Sequence, residues 1–264
     1  MKVLCVLYMV GLFVTTTAQA SHIKVVTEYL APFQIKNPDG SLGGYSTEVV
    51  RALFKLTGDT PNIQVLPWSR GYRIAQSDKN VMIYSIARTQ QREPLFLWLG
   101  KLKDERIFVW GLKTKFSQPF CSVDEFKHYV FASSKNYNTE QFLTLHDFKT
   151  VQSVNKNEQV VKMLFRSRAD LIVGNELVLK NQAELVGLDF SKTIKLFEAK
   201  SLAKSLSIAF SKSTDAAGLK RFKTAFARLE ASGELAAIKK RWDVVDDSQG
   251  KDLSPYTKSG RKCE

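Results

Sequence analysis

Short apolar runs alternate with amphipathic stretches through most of the chain, and the alternation predicts strands and helices in turn. The run from His22 to Tyr29, HIKVVTEY, predicts a strand. From Ser46 to Leu56 the apolar positions Val49, Val50, Leu53 and Phe54 recur at helical spacing, with Ser46 or Thr47 to cap the start and Gly58 just past the end. A strand over Asn62 to Leu66, a helix over Ser69 to Gln76 and a strand over Val81 to Ile86 follow. The apolar stretches LFLWLG and RIFVWGL then complete a first unit near residue 112.

The alternation repeats in a second unit. It predicts strands over His128 to Ala132, Thr150 to Val154 and Asp170 to Val173, with helices over Thr139 to Leu145 and Glu158 to Arg166 between them. The chain then returns through the strand LSIAFSKS, Leu206 to Ser213, and two amphipathic stretches separated by Gly233. This is the pattern of an α/β protein with mostly parallel sheets flanked by helices. The expected organisation is a discontinuous first lobe of residues 21–112 plus 205–242, a second lobe of 113–204, and a polar tail of 243–264. Two crossings between lobes make a hinge, and ligands in such sheets sit at the carboxyl ends of the strands, here facing a cleft.

The N-terminus changes the picture of where the protein works. MKVLCVLYMVGLFVTTTAQA has a lysine, an apolar stretch from Val3 to Val14 and small residues ending in Ala18, Gln19 and Ala20, which predicts a secretory signal peptide over residues 1–20. Its apolar run is shorter than the roughly 20 residues that span a bilayer. The expected location is therefore the periplasm. Cys5 leaves with that peptide, and Cys121 and Cys263 remain; in an oxidising compartment they pair or stay separate thiols, and spacing alone does not decide. The formal charge of +13 points first to nucleic acid, but the 39 basic residues are spread along the chain and export removes that partner, so no nucleic-acid binding is expected. No zinc-ligand spacing, phosphate loop or G-x-S-x-G elbow occurs, and no cofactor is expected.

Several segments, in this order and spacing, resemble the periplasmic solute-binding proteins of the polar amino-acid type that serve ABC transporters. They are TEYLAPF (Thr27 to Phe33), GGYSTEVVRAL (Gly43 to Leu53), LPWSRGYRIAQ (Leu66 to Gln76), IARTQQREPLF (Ile86 to Phe96), SRADLIVGNE (Ser167 to Glu176) and FARLEASGELAAIKKRW (Phe226 to Trp242). The resemblance covers about residues 23 to 242. It implies a type II periplasmic-binding-protein fold, a monomer, a small carboxylate-bearing ligand such as an amino acid, and a membrane permease as partner.

The same resemblance suggests how the ligand is held. The stretch Thr89, Gln90, Gln91, Arg92 matches the family's T-x-x-R, whose arginine clamps a carboxylate. A guanidinium suits this because its planar fork donates two parallel hydrogen bonds. Arg88 is a second candidate; the alternative for both is solvation or pairing with Glu93. Tyr84 and Ser85 end the preceding strand, although Tyr84 also suits the core. Trp68 matches a ring that stacks on the ligand and Tyr29 follows the first strand, with core packing the rival for Trp68. Glu28 would pair with a ligand ammonium, or be a hinge or surface carboxylate. Asn136, Tyr137 and Asn138 precede a helix whose free N–H groups suit an anion, although capping also explains asparagine there.

One position departs from the family's pattern. Asn175 stands where amino-acid binders carry an acid for the ligand's ammonium, so an uncharged hydrogen bond replaces an ion pair. Two other readings keep the fold and change the output. One is a dehydratase acting on cyclic acids, with Glu28 or Glu176 as acid or base; the other is a periplasmic sensor that hands its liganded form to a receptor.

Overall fold

In the computed structural model, residues 22–202 and 205–246 are described. The expected signal peptide, Cys263 and nearly all of the tail lie outside the described residues. Chain order runs β1 (Lys24–Thr27), β2 (Ile35–Lys36), β3 (Leu42–Gly43), α1 (Tyr45–Thr57), β4 (Asn62–Val65), α2 (Trp68–Ser77), β5 (Val81–Arg88) and β6 (Phe96–Asp104). It continues with β7 (Phe108–Leu112), β8 (Phe131–Ser134), α3 (Asn138–Leu145), β9 (Val151–Val154), α4 (Asn157–Phe165), β10 (Leu171–Gly174), α5 (Glu176–Leu185) and β11 (Thr193–Glu198). β12 (Ser205–Ser211), α6 (Ala216–Ala231) and α7 (Glu234–Arg241) complete it.

Two five-stranded sheets result. The first has the order β4-β1-β5-β12-β6, with β1 parallel to β4 and β5, and β12 antiparallel to β5 and β6. β5 is its centre: all but the last residue of VMIYSIAR is buried, as a strand covered on both faces requires. One face packs on α1 and α6, where Phe54 and Phe222 meet edge to face at 4.9 Å. The other face packs on α2 through Val26, Ile83, Tyr72 and Ala75. The second sheet has the order β11-β7-β10-β8-β9, with β8 parallel to β9 and β10. Separate apolar clusters cover its two faces, one centred on Phe126, Phe131 and Phe148, the other on Val161, Leu164 and Ile172.

The apolar positions of α1 fall where the periodicity places them, and Val49, Val50 and Leu53 are fully buried. Each such side chain contributes about 1.5–3 kcal/mol by leaving water. The cap differs from expectation. Gly44, not Ser46 or Thr47, precedes the helix, at φ 103°, and a Cβ there would lie 2.4 Å from the Phe33 carbonyl oxygen. Only glycine fits, so the chain enters the helix earlier and Ser46 and Thr47 are buried inside its first turn. Gly58 and Gly233 do take the left-handed conformation at helix boundaries, at φ 76° and 75°.

The boundary between lobes is corrected. RIFVWGL was expected in the first unit, but β7 pairs antiparallel with β10 and β11 in the second sheet. The chain therefore crosses over at 105–107 rather than near 112, and it returns between the end of β11 and the start of β12. An apolar run suits either sheet equally, so nothing local distinguishes the two placements. At the crossing Arg106 grips Glu198 with both prongs, Nε to Oε1 at 2.8 Å and the terminal nitrogen to Oε2 at 2.7 Å. This fork joins the first crossing to the strand from which the second departs. α5 and β11 are additional to the elements that the alternation predicts.

Cys121 is disulfide-bonded. Past α7, Val244 is buried and Asp246 accepts from the Asp104 backbone N–H at 2.8 Å, so the chain is held against the end of β6 as far as it is described.

The Arg106 fork outweighs the opposing effect of burial and holds the Glu198 carboxyl below its ordinary value. A lowered carboxylate stabilises the fold above its unfolded pKa and loses that contribution as pH falls through its folded one. Glu198→Gln should therefore cost about 1.5–3 kcal/mol near neutral pH. Thermal denaturation should show the gap to the native protein closing as the medium is acidified below the ordinary glutamate range.

Candidate functional site

The carboxyl ends of β1, β5, β8 and β10 face one another across the lobes and enclose a cavity of about 90 Å³. Its first-lobe wall carries Glu28, Trp68, Ser85 and Arg92, and its second-lobe wall carries Ser133, Ser134, Tyr137, Asn138, Thr139 and Asn157. Strand ends place these groups because each parallel strand delivers its last polar residues to the same edge.

Arg92 leaves the turn after β5, where its N–H donates to the Thr89 carbonyl at 3.1 Å, and its side chain is 1% exposed. One terminal nitrogen donates to the Ala87 carbonyl at 3.3 Å and the other reaches across to the Asn136 carbonyl of the second lobe at 3.1 Å. The guanidinium lies over the rings of Tyr72 and Trp68, at 4.9 and 5.4 Å from their centroids. Trp68 Nε1 donates to the same Asn136 carbonyl at 2.9 Å. The buried Arg92 Nε has no hydrogen-bond partner among the described residues. Burial opposes its charge and lowers its pKa, and the phenol groups of Tyr72 and Tyr137 and the nearby Glu28 act against that.

Glu28 supplies the second link between lobes. The Tyr137 hydroxyl donates to its Oε1, and the Asn157 amide nitrogen lies 3.4 Å from its Oε2 and also donates to the Tyr137 oxygen. Desolvation outweighs these bonds and the attraction of Arg92, and it pushes the Glu28 carboxyl up to about 8. Burial, with Glu28 as neighbour, likewise pushes the Tyr137 phenol up.

Two helices begin at this cavity without a side-chain cap. Tyr137 precedes α3 and Lys156 precedes α4, and neither accepts a hydrogen bond from the first turn. In α4 the Gln159 N–H donates to the Lys156 carbonyl at 3.1 Å, while the leading N–H groups of α3 face an acceptor-poor end whose helix dipole favours a negative group.

Of the expected site residues, Glu28, Trp68, Ser85, Arg92, Tyr137, Asn138 and Asn175 line the cavity. Asn136 takes part through its carbonyl alone, in a left-handed turn at φ 62°. Three others lie elsewhere. Tyr29 is 45% exposed on the surface. Tyr84 is in the first-lobe core, 3.1 Å from the Thr47 hydroxyl, and burial pushes it up to about 12. Arg88 forks onto the exposed Glu93, at 2.8 and 2.5 Å, and lies over Trp98. On β5 there is a bulge: Ser85 is left-handed at φ 57° and the pairing of β5 with β12 shifts between Ser207 and Ile208. Side chains before and after it therefore change faces, which strict alternation does not anticipate.

Asn175 lines the cavity and is also engaged with the backbone. Its Oδ1 accepts from the backbone N–H groups of Leu177 and Val178 at 2.9 and 3.4 Å, capping α5, and its Nδ2 donates to the Arg106 carbonyl at 3.2 Å. Sequence reasoning missed Ser133, Ser134, Asn157 and Gln182. Asn157 carried a usable signal, since it opens a helix after a strand as Asn138 does.

The sequence model of the bacterial extracellular solute-binding proteins, family 3, matches residues 23–244. The chain belongs to this family. No curated protein sequence matches it. The solute-binding fold recurs in solved structures. A histidine kinase sensor domain with similarity to periplasmic binding proteins superposes with a TM-score of 0.75 at 17% identity, over 86% of this chain and 98% of that one. An ancestral arginine-binding protein bound to arginine gives 0.71 at 17% identity, over 83% and 97%. An ABC uptake transporter substrate-binding protein from Streptococcus pneumoniae with bound histidine gives 0.72 at 14% identity, over 85% and 93%. These likenesses establish the two-lobe fold of the family for this chain. No helix among the described residues is long and apolar enough to cross a membrane.

An acid raised by burial is favoured in the folded state below its folded pKa, so stability falls as pH rises through that value. For Glu28 the window runs from the ordinary glutamate range up to about 8. Over this window the melting temperature of the native protein should fall more steeply than that of Glu28→Gln. Parallel slopes in a series of melting curves would show that Glu28 is ionised there.

Proposed function

We propose that this protein captures a small carboxylate-bearing solute, an amino acid or a close relative, between its lobes and presents the closed form to the permease of an ABC importer. The observation that carries this reading is Arg92: a buried guanidinium on the cavity wall, with a donor nitrogen unpaired among the described residues, beside the uncapped first turn of α3. A carboxylate there would complete the fork and receive helix N–H groups at once.

Closure follows from contacts to both walls. Arg92 and Trp68 belong to the first lobe and Tyr137, Asn138 and Asn157 to the second, so a solute between them stabilises the closed arrangement by its differential contacts. Micromolar affinity corresponds to about 8 kcal/mol, a reasonable yield for one fork, one ring contact and a few neutral hydrogen bonds after ordering costs. The partners named for the solved relatives, arginine and histidine, support an amino-acid-like solute, and binding rather than catalysis is the reading that family membership supports. The likeness to a kinase sensor domain supports a second output, in which the closed form signals to a receptor instead of delivering cargo.

Calorimetry against a panel of amino acids and small organic acids tests the site. Arg92→Ala should weaken the best binder about 10- to 100-fold, while the exposed Lys240→Ala changes nothing. Equal affinities in the two variants would remove the carboxylate from Arg92.

A further inference from the structure

Beyond the polar mouth, the cavity runs along one face of α5. Asn175, Val178, Leu179 and Gln182 recur there at helical spacing and line it, with Val173 beneath and Val160 of α4 opposite. Apolar residues suit an interior face, and Asn175 is occupied as the cap. Gln182 fits neither description. It is 4% exposed, and none of the described residues hydrogen-bonds to its amide. Its neighbour Asn181 shows the contrast, since Asn181 Nδ2 donates to the Leu177 carbonyl at 2.8 Å. The amide meets the cavity and no group of the described residues there, so it is left to water or to a solute that enters the cavity and can replace that water with a hydrogen bond.

We infer that Gln182 reads the far end of the solute, which carries an uncharged hydrogen-bonding group, an amide or a hydroxyl, on a short aliphatic stem. The inference rests on the proposed capture of a carboxylate at Arg92. Gln182 stands seven residues past the Asn175 cap, roughly 10 Å along the helix. The walls on the way are Val173, Val178, Leu179 and Val160, which suit methylenes. The amide donates and accepts, so it matches a neutral polar group, and it provides no counter-charge for an ammonium or a second carboxylate. The other carboxylate on the wall, Glu105, belongs to the interlobe crossing beside Arg106, whose carbonyl is held by Asn175 at the opposite end of this helix face.

The test uses L-glutamine, L-glutamate and L-norleucine as probes of similar length, titrated calorimetrically into the native protein, Gln182→Leu and Arg92→Ala. The native protein should prefer glutamine to norleucine and to glutamate by about tenfold or more, since a site built to hydrogen-bond rejects analogues that leave it unpaired. Gln182→Leu should erase or invert the glutamine-to-norleucine preference. It should also melt no lower than the native protein without solute, because it removes an unpaired amide. An unchanged ranking in Gln182→Leu, with binding still dependent on Arg92, overturns this inference and leaves the proposed function standing. A lower melting temperature with the ranking unchanged assigns Gln182 to the scaffold and overturns it equally. If no probe binds the native protein, or if binding is indifferent to Arg92→Ala, the carboxylate reading falls and this inference falls with it.

Discussion

The Asn136 carbonyl accepts from Arg92 of the first lobe at 3.1 Å and from Trp68 of the same lobe at 2.9 Å, and the arrangement of the two lobes around the cavity is organised by this shared acceptor. A guanidinium that is 1% exposed keeps its charge only if its surroundings replace water. Tyr72 and Trp68 do so through their ring faces, and the carbonyls of Ala87 and Asn136 do so along its edges. Arg92 therefore belongs to both lobes at once. Any anion that enters the cavity meets a group already placed and already desolvated, which lowers the reorganisation needed at binding.

Glu28 sets the electrostatic balance of the same space. Ionised, it would neutralise Arg92 and weaken the attraction for an anion. Burial pushes its carboxyl up to about 8, and the hydroxyl of Tyr137 and the amide of Asn157 do not reverse this. A largely protonated Glu28 leaves the Arg92 charge more available to an anion, and an incoming ammonium beside Glu28 would favour its ionised form. A zwitterionic solute and a simple acid are thus met by different protonation states of one side chain. The hinge adjoins this space, since Glu105 and Ile107 of the crossing line it: the Arg106–Glu198 fork holds the crossings, and Asn175 ties the start of α5 to the Arg106 carbonyl.

Much of the architecture was legible because it is local. The spacing of Val49, Val50, Leu53 and Phe54 makes a helix wherever it occurs, and Gly58 and Gly233 end or begin helices because glycine takes a positive φ without a Cβ clash. The alternation of strands and helices specified two α/β units for the same reason. The turn at Thr89 to Arg92 was legible through the family's T-x-x-R, and Glu28 and Tyr137 were legible as residues after strand ends, because parallel strands deliver their carboxyl ends to one edge. Tyr84 and Arg88 were misjudged, and they lie on either side of the bulge at Ser85, where β5 pairs with β12, more than a hundred residues away along the chain.

The sequence by itself determined the elements, the two-unit plan, and the residue types offered to the cleft, because periodicity, turn chemistry and charge act within a few residues. Only the tertiary structure decided that β7 serves the second sheet, that Gly44 rather than a hydroxyl opens α1, that Asn175 caps a helix, and that the Gln182 amide faces a cavity without a described partner. Each of these depends on what a distant segment places opposite the residue. Burial and hydrogen-bond satisfaction are properties of that assembled neighbourhood and have no local signature in the order of amino acids.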